Sequence, residues 1–140
     1  MIHTILLQMC LLILILCAGC NNYQPPLEFA PKPIIIEKAI IFKLQRQYEY
    51  LSQQLQTKAP KIQVRKINIK KIKPTIINNL PTYHLEGTYK LNIKPKNGKN
   101  STMNNTFSLD LQRQSKGETW RILIKMKERN SEKYSSYQIW

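Results

Sequence analysis

The sequence predicts an α+β domain in which one long N-terminal helix packs on a curved antiparallel sheet of four to five strands. Three observations carry that prediction. Apolar residues recur at spacings of three and four across residues 34–56, the period switches to two after Pro60, and the apolar positions of residues 62–73 change parity twice.

The helix comes first. Ile36, Ile40, Leu44, Tyr48, Leu51 and Leu55 form one stripe, widened by Ile41, with Lys43, Arg46, Gln47, Glu49, Gln53 and Gln54 around the rest. Pro60 sets its limit, because proline lacks the amide hydrogen and its ring meets the preceding turn. In the next stretch Ile62 and Val64 share one parity, Ile67 and Ile69 the other, and Ile72 returns to the first. One flat strand cannot bury all five. Bulges near Arg65-Lys66 and Lys70-Lys71 would reset the phase and bend the strand.

A half-buried strand follows, with Tyr83, Leu85, Gly87, Tyr89, Leu91 and Ile93 inward and His84, Glu86, Thr88, Lys90, Asn92 and Lys94 outward. The polar stretch 94–105, with the turn signal Asn97-Gly98, is expected to be a mobile loop. Phe107, Leu109 and Leu111 mark another strand, opposite Ser108, Asp110 and Gln112. Trp120, Ile122, Ile124 and Met126 mark the next, with Arg121, Lys125 and Lys127 outward; the short link through Ser115-Lys116-Gly117-Glu118 joins the two as a hairpin. Tyr134, Tyr137, Ile139 and Trp140 make residues 131–140 an additional edge strand. This order, a helix and then an antiparallel meander, resembles the cystatin-like fold and more loosely the nuclear transport factor family. The glycine and Gln-Val-Val-Ala-Gly loop through which cystatins inhibit proteases do not occur, so inhibition is not implied.

Ahead of the domain, an apolar run from Ile5 to Leu16, broken by Gln8, leads into Cys17-Ala18-Gly19-Cys20. A run of about 12–15 residues is shorter than the ~20 that cross a bilayer core. It matches an export signal, whose apolar stretch ends in small residues at a cleavage site; the alternatives are a short uncleaved anchor, ordinary signal cleavage or an internal core helix. Ala18-Gly19-Cys20 resembles the lipobox of bacterial lipoproteins. The position three before Cys20 holds Cys17 where that family usually has Leu, and the leader carries no Lys or Arg. The resemblance implies cleavage between Gly19 and Cys20, lipid on the Cys20 sulfur, and a mature chain held to the cell membrane. Asn21 is not the aspartate that retains some lipoproteins in an inner membrane, which favours an outer membrane where one exists. The runs Leu80-Pro81-Thr82-Tyr83-His84-Leu85, Leu111-Gln112-Arg113-Gln114 and Thr119-Trp120-Arg121 are also similar to small cyanobacterial lipoproteins, a resemblance that brings no function.

Three regions are therefore expected: a signal peptide at 1–19, the lipidated cysteine with a proline-rich tether at 20–33, and one domain at 34–140. Pro25, Pro26, Pro31 and Pro33 make the tether extended, without helix or sheet, so that it holds the domain a short way off the membrane. All three cysteines precede residue 21, which leaves the domain without disulfide or thiol chemistry.

All 22 basic and 8 acidic residues lie beyond residue 20, for a net charge of +14. Eleven of the basic residues fall between Lys58 and Lys99 against Glu86 alone. Pairing of the first two strands would bring Lys61, Arg65, Lys66, Lys70, Lys71, Lys73, Lys90 and Lys94 into one basic surface, able to attract anions over about 8–10 Å. The plain alternative is a solvated lysine-rich face. The partners this surface suggests are anionic lipid headgroups, a cell-wall polymer or an acidic protein. Export argues against nucleic acid, and Tyr83 and Tyr89, which resemble a base-stacking platform, have core parity.

Catalysis finds little support. His84 is the one histidine after the leader, and no set of His, Cys or carboxylates has metal-ligand spacing. No cofactor, metal or catalytic residue is expected, and His84 with Glu86 reads as an exposed pair on the polar strand face. Two functions from different classes remain. One is an accessory or assembly module of the cell envelope acting through its basic surface. The other is a domain binding a small molecule or lipid in a pocket between helix and sheet.

Overall fold

The computed structural model of the chain describes Met1 and residues 23–127 and 132–140. Helix α1 (Pro33–Gln54) is followed by strands β1 (Lys61–Ile77), β2 (Leu80–Lys94), β3 (Ser101–Arg113), β4 (Trp120–Lys127) and β5 (Glu132–Gln138). The strands pair antiparallel in chain order to form an open, curled sheet with α1 on one face. This is the α+β architecture the sequence predicts.

Pro33 occupies the first turn of α1, where its missing N–H has no intrahelical acceptor in any case. Ile35, Ile36, Ala39, Ile40 and Leu44 are buried against the sheet. The expected stripe does not continue to the end. Leu51 and Leu55 are 42% and 70% exposed, and Ser52 is buried instead. The cause is how the helix stops. Gln56 takes a left-handed φ of 52°, the Gln56 N–H donates to the Gln53 carbonyl at 3.3 Å, and the Thr57 N–H donates to the Ser52 carbonyl at 2.9 Å. That reversal folds the chain over Ser52, six residues ahead of the proline expected to limit the helix.

The phase changes of β1 are where the sequence places them. The register with β2 shifts between Arg65 and Asn68 and again between Ile69 and Lys71, and Lys66 sits at φ 50° in the first bulge. Val64 is buried, and Ile62, Ile67 and Ile69 pack against the core. β1 also runs further than residue 73, through Pro74, which an edge strand tolerates. Asn78 and Asn79, at φ 51° and 61°, close the tight turn into β2, since two successive positive φ values favour asparagine or glycine.

β2 alternates as read: Tyr83, Leu85, Tyr89 and Leu91 are buried. Gly87 shares their face because nothing larger fits. A Cβ there would lie 2.2 Å from the Asn68 carbonyl oxygen and 2.7 Å from the Phe107 ring. The expected loop at 94–105 is shorter than predicted, since β3 begins at Ser101 and residues Ser101 to Thr106 pair with Ile93 to Thr88. Their side chains are polar or exposed, so the backbone ladder gives no apolar alternation to read. In β4, Trp120 and Ile122 are buried as expected, but Met126 is 41% exposed and Leu123, on the opposite face, is buried. Residues 132–138 form the expected edge strand on β4.

Ring pairs belong to the core or pack against it: Tyr83 with Trp120, Tyr89 with Phe107, and Phe42 with Tyr137, at centroid distances of 6.0, 6.3 and 5.6 Å. The proline segment is not the free tether expected. Pro25 and Pro31 are buried, residues Leu27–Phe29 form a 3-10 turn, and the Tyr83 hydroxyl donates to the Pro26 carbonyl at 2.8 Å. Four prolines lose little chain entropy on docking, and the buried Tyr83 supplies the donor that fixes them.

Candidate functional site

The outer face of β1 and β2 carries the basic residues. Register places Lys61 opposite Lys94, Arg65 opposite Lys90, Lys71 opposite Glu86 and Lys73 opposite His84. Lys66 and Lys70 fall at the two bulges, outside the cross-strand pairing. Six of the eight basic residues singled out from sequence thus share one paired face. Two cross-strand pairs are like-charged, with side chains roughly 4.5–5.5 Å apart at Cβ, an arrangement that costs stability. Lys71 alone among the eight has an ion pair among the described residues, with Glu86 at 3.7 Å. Cys20 and Gly19 lie outside the described residues.

Further along the same face, His84 Nδ1 lies 2.8 Å from Asp110 Oδ1 and His84 Nε2 lies 2.9 Å from Glu86 Oε1. A neutral imidazole donates from one nitrogen only, whereas the imidazolium donates from both. Hydrogen bonds to Glu86 and then Asp110 raise the His84 pKa, and the hydrogen bond from His84, followed by Lys71, lowers that of Glu86. The result is a chain Asp110–His84–Glu86–Lys71 across three strands. As an imidazolium, His84 donates from both nitrogens to carboxylates and has no lone pair with which to take a proton. Sequence reasoning paired His84 with Glu86 and missed Asp110, which only the β2–β3 register brings opposite His84.

At one end of the molecule, an open cleft of about 500 Å³ lies among Phe29, Ile34, Ile35, Arg113, Trp120 and Trp140. Arg113 donates from Nε to the Gly117 carbonyl at 3.1 Å and stacks its guanidinium over Phe29 at 4.8 Å. Lys38 Nζ sits 3.5 Å from the Trp140 ring centre. This cleft lies beside the docked proline segment. Between helix and sheet a smaller open cavity of about 200 Å³ lies among Ile40, Leu44, Gln47, Tyr89 and Phe107, and the Tyr89–Phe107 ring pair forms one of its walls.

The cleft and the like-charged quartet occupy opposite ends. Tyr83, which holds the proline segment, is seven residues from Lys90 and eleven from Lys94 on β2, a separation of at most about 23–36 Å at ~3.3 Å per residue. Among the described residues no group of His, Cys, Asp or Glu is placed to hold a metal ion, and no helix is long and apolar enough to cross a membrane. Comparison of the chain with protein-family models, with curated proteins and with solved structures found no match.

Proposed function

We propose that this chain is a lipid-anchored, non-catalytic lipoprotein of the cell envelope that binds an anionic polymer through the outer face of β1 and β2. The observation that carries the reading is the quartet Lys61, Lys94, Arg65 and Lys90, two like-charged pairs set four residues apart along the hairpin. Facing cations cost stability in the free protein, and an anion lying between them removes that cost. Two pairs spaced about 13 Å apart, with Gln63 and Asn92 between them, suit a chain of repeated phosphates or carboxylates better than a single small anion. The saturated hydrogen bonding of His84 supports the non-catalytic part of the reading, and the Ala18-Gly19-Cys20 motif supports the anchor.

Two measurements on the full-length protein test it. Radioactive palmitate should label the wild type and not Cys20→Ala; label retained in the variant contradicts the anchor. Retention on a polyphosphate resin should fall steeply with salt, as screening weakens exposed charges. Joint replacement of Lys61, Arg65, Lys90 and Lys94 by Gln should lower retention at least tenfold, while Lys116→Gln leaves it unchanged. Equal loss in both variants reduces the quartet to part of a diffuse charge.

A further inference from the structure

We infer that the cleft end of the domain seats directly in the headgroup layer of a phospholipid bilayer, which turns the basic quartet away from that membrane. The inference rests on the anchor reading and adds an orientation to it. Tyr23, Leu27, Phe29, Ile34 and Trp140 are 65, 59, 45, 47 and 49% exposed. Phe29, Ile34 and Trp140 border one cleft, Leu27 belongs to the turn beside it, and Tyr23 leads into the docked segment close enough to act on the Tyr83 hydroxyl. Exposed apolar side chains gathered around one cleft mark a contact surface.

The chemistry of the patch suits an interface layer. Tyr and Trp combine an apolar ring with a polar tip, and they concentrate at the depth of lipid headgroups. Lys32 and Arg113 border the same cleft and Lys38 caps Trp140, so cations stand beside the rings where lipid phosphates would lie. Glu28 and Glu118 also border it, which leaves the rim of mixed sign and makes the rings the main contribution to binding.

Chain length supplies the second argument. Three residues separate Cys20 from Tyr23, a reach of at most about 11 Å, and five separate it from the buried Pro25, at most about 18 Å. A lipid on Cys20 therefore brings this end, and no other, to the membrane surface. The quartet then stands up to about 23–36 Å along β2 from the docked segment, against a Debye length of roughly 8–10 Å. Headgroups of the anchoring bilayer are out of its range, and its anionic ligand is a component that lies away from that membrane.

Tryptophan emission tests the seating. Full-length protein purified from membranes is reconstituted into phosphatidylcholine–phosphatidylglycerol vesicles with or without bromine on the upper acyl chain, and vesicles are recovered by flotation. Bromine should quench the wild type, and Trp140→Phe should lose most of that quenching, because the remaining Trp120 is buried. Palmitate-labelled protein that floats with its Trp140 emission unchanged by bromine overturns the seating while the anchor stands, and assigns the patch to a protein occupant. Unlabelled protein that is still quenched supports the seating without the anchor. Unlabelled protein that neither floats nor is quenched contradicts both.

Discussion

His84 illustrates how one side chain acquires its role from register. Alone on β2 it is an ordinary outward histidine, but antiparallel pairing sets Asp110 beside it while Glu86 reaches its other nitrogen. Its pKa is raised above the usual 6.5 by those two acceptors. Stability from this chain of contacts is therefore complete below about pH 6.5 and is lost as pH rises through the folded-state value, where the imidazolium gives up its second donor. Glu86, lowered from 4.5, acts at the other limit, and its contribution fades as pH falls through its depressed value. Denaturant titrations from pH 6 to 9 should show the wild type losing stability and His84→Gln staying nearly flat across that interval. Parallel curves for the two proteins would remove His84 from the account. The polar parity of His84 and Glu86 is visible in the chain, but the Asp110 contact is not, because strand alternation says which face a residue takes and nothing about which neighbour it meets. Gly87 is similar: its inward parity is visible, while the Asn68 carbonyl that excludes a side chain there is set by the β1 bulge between Arg65 and Asn68.

At the scale of elements, the legible parts are those where apolar residues set a period. The parity breaks in β1 locate both bulges to within a residue or two, since each apolar side chain must be returned to one face. The alternation of β2 likewise gives its inward set from Tyr83 onward, while Thr82, of the opposite parity, is buried and hydrogen-bonded to the Leu80 carbonyl and Gln112. Polar segments carry no such signal: the first half of β3 is held by backbone pairing to β2, and its Ser, Thr and Asn side chains look like loop. The end of α1 escapes for a different reason. Helices commonly stop on a left-handed glycine, and here Gln56 adopts that conformation, so the usual mark is missing. A left-handed L-residue costs about 1–2 kcal/mol. Gln56→Gly should accordingly raise unfolding stability by about 1 kcal/mol, measured by chemical denaturation, and Gln56→Ala should not. No gain from glycine would mean that other contacts of Gln56 outweigh its backbone strain.

Across the whole molecule, length sorts the chemistry into two ends. α1 and β2 both run from the docked proline segment toward the basic pairs, so the cleft with Phe29 and Trp140 lies at one end and the like-charged quartet at the other, where α1 also exposes Tyr50, Leu51 and Leu55. The excess of lysine is evident from composition, and six of the eight basic residues singled out do share a paired face. The separation from the rings is not evident, because a proline-rich stretch reads as a free tether until Tyr83 is seen to hold it. The central claim is that the like-charged quartet is kept for an anion, at a cost to the free fold. Like charges directly opposite across a sheet are destabilising, and a ligand that binds only the folded state returns stability according to its concentration over Kd. The most direct measurement is the melting temperature at low salt, with and without polyphosphate, for wild type and for the protein with Lys61, Arg65, Lys90 and Lys94 replaced by Gln. The account predicts that the variant melts higher than wild type without polymer, and that polymer raises the wild type but leaves the variant unmoved. A variant that melts lower, or that gains as much from polymer as the wild type, would contradict it.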